Sequence, residues 1–213
     1  IESGQTKLDE TVCSISDIVN ETSVIIEDQA LEKNQKFTTD ISQIQNLYVY
    51  CDKLRIKEIL VNLLGNSVKY TQNGGQISLR ILQLPSEKEG YGNYEIHVKD
   101  NGCGMSRDFL KKIFLPFERQ ATSTVSGVQG TGLGMTIIKG FVDLMGGTIQ
   151  IQSEENKGTE VIVKLCQKLA EAPSETISPI KPEYSTESFK GNRILLAEDN
   201  ALNREIAVTI LEN

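Results

Sequence analysis

The stretch Gly130-Thr131-Gly132-Leu133-Gly134, followed directly by residues 135–145, decides what the rest of the chain must be built around. Three glycines at alternate positions let the backbone approach a ligand closely, because no Cβ is in the way. Apolar residues at four-residue spacing predict one face of a helix that begins inside the glycine run, namely Leu133, Ile137, Phe141 and Met145. A helix N-terminus presents unpaired amides and suits a phosphate group. A flexible turn before an ordinary helix has the same pattern, so both interpretations stay open here.

Composition bounds the remaining possibilities. The chain has 213 residues, 38% of them hydrophobic, and a net charge of −7, which fits one soluble core with some residues left over. The negative charge argues against nucleic acid as a partner. The absence of a long apolar run predicts a cytoplasmic piece, anchored to a membrane only through segments outside this sequence. The four cysteines and single histidine form no metal-ligand pattern, so we expect reduced thiols.

A helix from Asp52 to Tyr70 combines an apolar surface nearly all round with one polar stripe. The stripe has a four-residue step and consists of Glu58, Asn62, Asn66 and Tyr70, with Lys69 beside it. Asparagine is a poor helix former, and burying its amide without a partner costs on the order of 1–3 kcal/mol. We therefore expect the stripe to form one wall of a polar ligand site, although a hydrogen-bond network to a neighbouring loop is the alternative.

A second chemical signal follows the predicted strand at residues 94–99. The strand ends in Asp100-Asn101-Gly102-Cys103-Gly104, which places an acid at a strand end with alternating glycines behind it, leaving room for a flat ligand. His97 should point outward from this strand. A short helix is expected over Asp108–Ile113, and the small polar residues from Gln120 to Gln129 predict a mobile lid.

The other elements follow from periodicity and turn signals. We expect a helix over residues 15–31 capped by Ser14 or Ser16, strands over residues 37–41, 47–51 and 76–84, and an antiparallel pair over residues 148–152 and 159–165. Three of the five prolines fall between residues 167 and 190, which predicts a linker. A buried-type strand over residues 193–200 and a helix over residues 201–211 then begin a second domain.

Four short sequence motifs, called boxes below, indicate a family much more specifically together than any one of them does alone. They are residues 62–70, residues 100–104, Phe114-Leu115-Pro116-Phe117 and the glycine run at 130–134. Their order and spacing resemble the ATP-binding catalytic domain of sensor histidine kinases, within the superfamily shared with gyrase, Hsp90-type chaperones and mismatch-repair ATPases. The resemblance covers residues 12–166. It implies an α/β (α+β) two-layer sandwich, in which a mixed β-sheet carries helices on one face. The third box separates kinases from the chaperone and topoisomerase branches.

Both ends of the chain also resemble parts of such kinases. Residues 1–11 look like the end of a dimerisation helix with its linker, residues 167–190 like a flexible linker, and residues 191–213 like the truncated start of a response-regulator receiver. The resemblance thus implies a hybrid sensor histidine kinase in two-component phosphorelay signalling. Its implied partners are a dimerisation and phosphoacceptor domain in the same protein or its homodimer partner, the receiver in cis, and downstream phosphotransfer proteins. The phosphoacceptor histidine is absent here, and His97 is no substitute.

The resemblance further implies ATP and Mg²⁺ as cofactors. Asp100 would accept a hydrogen bond from the adenine amine, and Gly102 and Gly104 would admit the ring. Asn66 would bind Mg²⁺. Further nucleotide contacts implied by the boxes are Asn62, Lys69, Tyr70, Phe117, Gly130, Thr131, Gly132, Leu133 and Gly134.

Catalysis in such a site is mostly positioning and charge neutralisation, to which the resemblance assigns Asn62, Asn66 and Lys69, with Arg119 of the lid reaching the γ-phosphate. Two rival functions remain: a nucleotide-binding pseudokinase scaffold, and an ATPase clamp of the chaperone or gyrase type.

Overall fold

The structure is a computed structural model that describes residues 7–118 and 131–173, together with Glu205, Val208 and Thr209. The chain divides into two compact units, Ile1–Ala172 and Pro173–Asn213. In the second unit, Glu205, Val208 and Thr209 are helical, and they fall within the predicted helix at residues 201–211. Residues 174–190 of the predicted linker, the other residues of the predicted receiver start, and the predicted lid lie outside the described residues.

Within the described part of the first unit, seven strands form one sheet. They are β1 (Thr11–Ser14), β2 (Lys36–Gln43), β3 (Tyr48–Cys51), β4 (Gln76–Leu84), β5 (Tyr91–Asp100), β6 (Thr148–Glu154) and β7 (Gly158–Leu169). The strand order is β1-β3-β7-β5-β4-β2, and β6 also pairs with β7. Strands β2 and β4 run parallel, whereas every other pairing is antiparallel, so the sheet is mixed.

Four helices lie in the described part of the first unit, and the first two begin at capping residues that the sequence predicts. They are α1 (Ile15–Glu32), α2 (Lys53–Tyr70), the single turn α3 (Arg107–Leu110) and α4 (Gly134–Leu144). The Ser14 side chain accepts from the Asp17 amide at the start of α1, and the Asp52 side chain accepts from the Arg55 amide at the start of α2. Helix α3 is shorter than the predicted helix 108–113, because the chain passes into turns ahead of Pro116, which cannot continue a helix.

One face of the sheet is buried beneath the helices. Alternate residues of the central strands point into this core, among them Ile77, Leu79, Ile81, Tyr94, Ile96, Val98, Val161, Val163 and Leu165. The opposite face is polar. His97 lies there with its ring nitrogens 3.3 and 3.1 Å from the carboxylates of Glu95 and Glu160, so its side chain points away from the core as the strand alternation predicts.

Helix α4 buries a face other than the expected one, whereas α1 buries five of the seven positions that its periodicity predicts, namely Ile15, Ile18, Val19, Thr22 and Ile26. In α1, Leu31 is 74% exposed and Ile25 is 44% exposed. Ser23 and Ala30 are buried in this helix instead. In α4 the buried residues are Ile138 and Val142, whereas Ile137 of the predicted apolar face is 43% exposed. The predicted face is wrong because α4 is apolar on several sides, and packing against α2 and the sheet selects one of them.

Strand β7 runs past the expected domain end at residue 166. Its last residues pair with β3, Lys168 opposite Tyr50 and Leu169 opposite Val49. The prolines that predict the linker begin only at Pro173, after the end of this strand. The ordered sheet therefore reaches Leu169.

Candidate functional site

A cavity of about 520 Å³ lies between α2, α4 and the loops that follow β5. It is large enough for a drug-sized or nucleotide-sized ligand. Nine of the predicted site residues line it: Asn62, Asn66, Lys69, Tyr70, Asp100, Gly104, Thr131, Gly132 and Gly134. Apolar residues form other parts of the wall, including Met105, Phe109, Ile113, Ile151 and Val161. The site thus combines an apolar wall with a small set of polar groups.

The Asp100 carboxylate is held by three hydrogen bonds. Its Oδ1 accepts from the amides of Gly102 and Thr159, at 2.9 and 3.3 Å, and its Oδ2 accepts from the Ser67 hydroxyl at 3.0 Å. Burial raises the pKa of Asp100, while these three hydrogen bonds work in the opposite direction because they stabilise the charged form. Asp100 is therefore a fixed hydrogen-bond acceptor on the cavity wall.

Sequence reasoning missed Ser67 and Thr159. Ser67 is 4% exposed and follows Asn66 in α2, so its only signal was one hydroxyl within an apolar stretch. Thr159 is the second residue of β7, and only the pairing of β5 with β7 places its amide against Asp100. Both residues also line the cavity.

The two asparagines of α2 use their amide N–H groups within the protein. Asn62 Nδ2 donates to the Glu58 carbonyl at 2.9 Å, and Asn66 Nδ2 contacts the Met135 sulfur at 3.8 Å. An added Cβ on Gly134 would lie 3.3 Å from Asn62 Oδ1, which shows how closely the start of α4 approaches α2. The amide oxygens are thus the remaining polar atoms of these side chains at the cavity wall. The Lys69 ammonium lies 5.1 Å from the Tyr70 ring centre.

The two glycines after β5 pack closely against other backbone segments, a role that the sequence did not indicate. A Cβ on Gly102 would lie 2.5 Å from the Tyr70 carbonyl oxygen. A Cβ on Gly104, where φ is +62°, would lie 1.9 Å from the Glu154 carbonyl oxygen. Only glycine allows the loop to pass so close to these two backbone segments. Gly104 borders the cavity, whereas Gly102 is buried behind it.

The aromatic hinge and the glycine run are joined through their backbones. The Phe117 amide donates to the Gly132 carbonyl at 3.1 Å, and a Cβ on Gly132 would lie 2.8 Å from the Phe117 carbonyl carbon. Phe117 itself has φ of +67°, a strained value for an aromatic residue. Its side chain is 73% exposed and is not part of the cavity lining, and neither is Leu133. Arg119 and Gly130 lie outside the described residues.

Other kinds of site are not found in the described part of the chain. Across residues 7–118 and 131–173, no group of three or more His, Cys, Asp or Glu side chains has the arrangement of a metal site. All four cysteines are free thiols, two of them buried (Cys13 and Cys51) and two exposed (Cys103 and Cys166). No helix among the described residues has the length and hydropathy needed to span a membrane.

Comparison with known proteins identifies the family. The model of the Histidine kinase-, DNA gyrase B-, and HSP90-like ATPase family matches residues 51–169, more than half of the chain. The chain belongs to this ATPase family. The catalytic domain of the histidine kinase ThkA superposes on this ATPase domain with a TM-score of 0.62 and 27% identity, over 75% of this chain and 96% of that chain. The mixed α/β architecture is thus that of a histidine kinase catalytic domain.

Among curated proteins, the relatives of this ATPase domain are sensor kinases. The autoinducer 2 sensor kinase/phosphatase LuxQ of Vibrio parahaemolyticus is 34% identical over 74% of this chain and 18% of its own length. The sensory/regulatory protein RpfC of Xanthomonas campestris is 26% identical over 100% of this chain and 32% of its own length. The chain therefore spans less than a third of the length of these relatives.

Proposed function

We propose that this chain is the ATP-binding catalytic domain of a hybrid sensor histidine kinase. It transfers the γ-phosphoryl group of ATP to a histidine on a dimerisation domain, which this chain does not include. The observation that carries the proposal is a single cavity with the Asp100 acceptor and the Asn62, Asn66 and Lys69 side chains on its wall. We also propose, from the sequence pattern alone, that residues 191–213 begin a receiver domain.

The apolar part of the cavity fits an adenine base. Ile113, Ile151 and Val161 supply an apolar wall, and Asp100 supplies a fixed acceptor for an exocyclic amine. Guanine carries a carbonyl oxygen at the equivalent ring position, which would face the carboxylate acceptor to acceptor. Asp100 thus selects adenine by hydrogen-bond polarity.

The polar part of the cavity fits phosphates. Helix α4 begins at Gly134 on the cavity wall, so its unpaired amides face a region that Lys69 and Asn62 also border. The Asn66 amide oxygen is a hard ligand of the kind Mg²⁺ prefers, and the remaining ligands of such an ion come from phosphates and water. When bound, the cation would neutralise charge on the phosphates, and Asn62, Asn66 and Lys69 would orient them for in-line transfer. Arg119 is proposed to reach the γ-phosphate.

Calorimetric titration with ADP and a non-hydrolysable ATP analogue, with and without Mg²⁺, tests the binding site. We expect Mg²⁺ to strengthen the binding of both nucleotides, and the Asn66→Ala variant to lose most of this dependence. Lys139→Ala is the matched control, because Lys139 pairs with Asp143 on the surface of α4 and does not line the cavity. Equal binding by wild type and Asn66→Ala at every Mg²⁺ concentration would remove Asn66 from the metal site.

Incubation with labelled ATP tests phosphoryl transfer. Because the single histidine of the sequence, His97, lies in strand β5, the chain alone should acquire no acid-labile label, whereas an added dimerisation domain carrying the acceptor histidine should be labelled. Label on the dimerisation domain distinguishes a kinase from a pseudokinase scaffold, which binds ATP but labels nothing. Release of inorganic phosphate without labelling of any protein would favour the ATPase clamp instead.

A further inference from the structure

The turn between α1 and β2 reaches across to the end of α2. In this turn Lys33 Nζ donates to the carbonyl oxygens of Val68 and Lys69, at 2.8 and 3.1 Å. The Gln35 side-chain amide, 8% exposed, donates to the Val68 carbonyl at 3.1 Å. Gln35 also donates to the carbonyls of Thr71 and Gln72, the first two residues after the helix, at 2.8 and 3.4 Å. We call Lys33 and Gln35 the C-terminal clamp of α2.

The clamp satisfies groups that a helix leaves unpaired. The last carbonyls of an α-helix have no intrahelical donors, and the helix dipole places partial negative charge on them. The Lys33 ammonium and the Gln35 amide supply both the donors and, in the case of Lys33, the opposite charge. The clamp therefore fixes the position at which α2 ends.

That position is part of the cavity wall. Tyr70, Thr71 and Gln72 line the cavity at the end of α2. The Tyr70 carbonyl also accepts from the Cys103 amide at 3.1 Å, in the loop whose Gly102 amide binds Asp100. Hydrogen bonds to the backbone around Tyr70 thus connect the clamp to the loop that holds the Asp100 carboxylate.

This connection between the clamp and the end of α2 lowers the stability of the fold. The side-chain amide oxygen of Gln35, Oε1, and the Thr71 hydroxyl are buried and have no hydrogen-bond partner among the described residues. Buried polar atoms without partners lower stability, so an apolar contact between these segments would hold the fold together better. Polar groups retained against stability are typical of functional positions.

We propose that Lys33 and Gln35 are positioning residues for base recognition, acting through the end of α2 and the Cys103 loop on Asp100. Neither residue lines the cavity, so neither touches the ligand. This inference rests on the proposed adenine-nucleotide site. It assigns the discrimination between bases to residues that lie behind the cavity wall.

The test compares base discrimination with phosphate binding in the same variants. Titration calorimetry gives the ratio of affinities for ADP and inosine diphosphate, which reports on Asp100, and the ratio for ADP and AMP, which reports on the phosphate region. In Gln35→Met and Lys33→Met we expect the first ratio to fall about tenfold, as for one misplaced hydrogen bond. The second ratio should stay at the wild-type value. Lys33→Arg, which keeps donors and charge, should retain both ratios.

Thr22→Val is the matched structural control. The Thr22 hydroxyl is fully buried in α1 and donates to the Ile18 carbonyl at 2.8 Å, remote from the clamp in sequence and absent from the cavity lining. This variant should lower the melting temperature without changing either ratio. An unchanged ratio of ADP to inosine diphosphate in Lys33→Met, or an equal fall in Thr22→Val, would overturn the positioning role. If wild type shows no preference for ADP, the proposed adenine site fails first, and the inference fails with it.

Discussion

Replacement of Asp100 by asparagine separates the role of this residue in the fold from its proposed role in base recognition. In the wild type, Oδ1 accepts from two backbone amides, of Gly102 and Thr159, while Oδ2 accepts from the Ser67 hydroxyl. In Asp100→Asn the carbonyl oxygen can keep both amide hydrogen bonds. The new NH₂ group then takes the Oδ2 position and donates to the Ser67 hydroxyl, which is able to accept. The fold should therefore survive the substitution.

The same exchange reverses hydrogen-bond polarity at the cavity wall. An adenine amine that met an acceptor in the wild type meets a donor in Asp100→Asn. Loss of a hydrogen bond to a charged group, with one partner left buried and unpaired, costs on the order of 1–3 kcal/mol. That range corresponds to a rise of about 5- to 150-fold in the dissociation constant for ADP. Inosine diphosphate, which presents a carbonyl oxygen instead of the amine, should lose less affinity or gain some.

Titration calorimetry of wild type and Asp100→Asn with ADP and inosine diphosphate decides the matter, with circular dichroism as a check on folding. Ser67→Ala is the matched control, because it removes the hydroxyl partner of Asp100 and leaves the carboxylate in place. We expect Ser67→Ala to weaken ADP binding less than Asp100→Asn does. The assignment of Asp100 to the base is refuted if a folded Asp100→Asn protein binds ADP as tightly as the wild type.

Three further outcomes follow from the same region. Burial raises the pKa of Asp100 above its ordinary 3.8, so the folded state holds this proton more tightly than the unfolded state does. Below about pH 3.8 the carboxyl group is protonated in both states and costs no stability. As pH rises from there through the raised pKa, the ionised carboxylate lowers the free energy of unfolding increasingly. The difference in melting temperature between Asp100→Asn and wild type should thus grow from acid to neutral pH. Thr71→Val removes a buried hydroxyl without a partner and should leave thermal stability equal or higher. Gly158→Ala, at φ +102° with its Cβ 2.1 Å from the Asp100 carbonyl oxygen, should lose at least about 1–3 kcal/mol in denaturant unfolding.

Elements whose signals are local were predictable from the sequence. Helix α2 begins where Asp52 can cap it, and the alternation of Ile77, Leu79 and Ile81 marks β4 and its inward face. In each case the residues that decide the structure lie within one turn or one strand of each other. Short-range hydrogen bonding and side-chain periodicity suffice for such elements.

The buried face of α4 was not predictable in this way. Ile137 and Ile138 are adjacent, as are Phe141 and Val142, so an apolar four-residue spacing can be drawn along either of two faces. The choice is made by neighbours. The Arg55 guanidinium of α2 lies over the Phe141 ring at 4.7 Å, and Ile138 and Val142 turn into the core. Periodicity places a helix, but the packing partner selects its buried side.

The candidate site shows the same division between local and long-range information. Asp100 stood out because an acid at a strand end followed by glycines is a local pattern. Its partners Ser67 and Thr159 are 33 and 59 residues away in the chain, and only the packing of α2 and the pairing of β7 bring them to it. The sequence alone also did not reveal that Gly102 and Gly104 pack against Tyr70 and Glu154, since these backbone segments lie outside the short motif.

The packing of these two glycines supports the proposed role of Asp100. A glycine that only makes room for a ring leaves its loop able to move, whereas one that packs against another backbone segment holds the loop in place. Gly102 lies against Tyr70, and Gly104 against Glu154. The amide that orients the Asp100 carboxylate belongs to this packed loop, so the acceptor is directed before any base arrives. Because ordering costs are then met on folding and not on binding, a preorganised acceptor discriminates between bases more sharply than a mobile one.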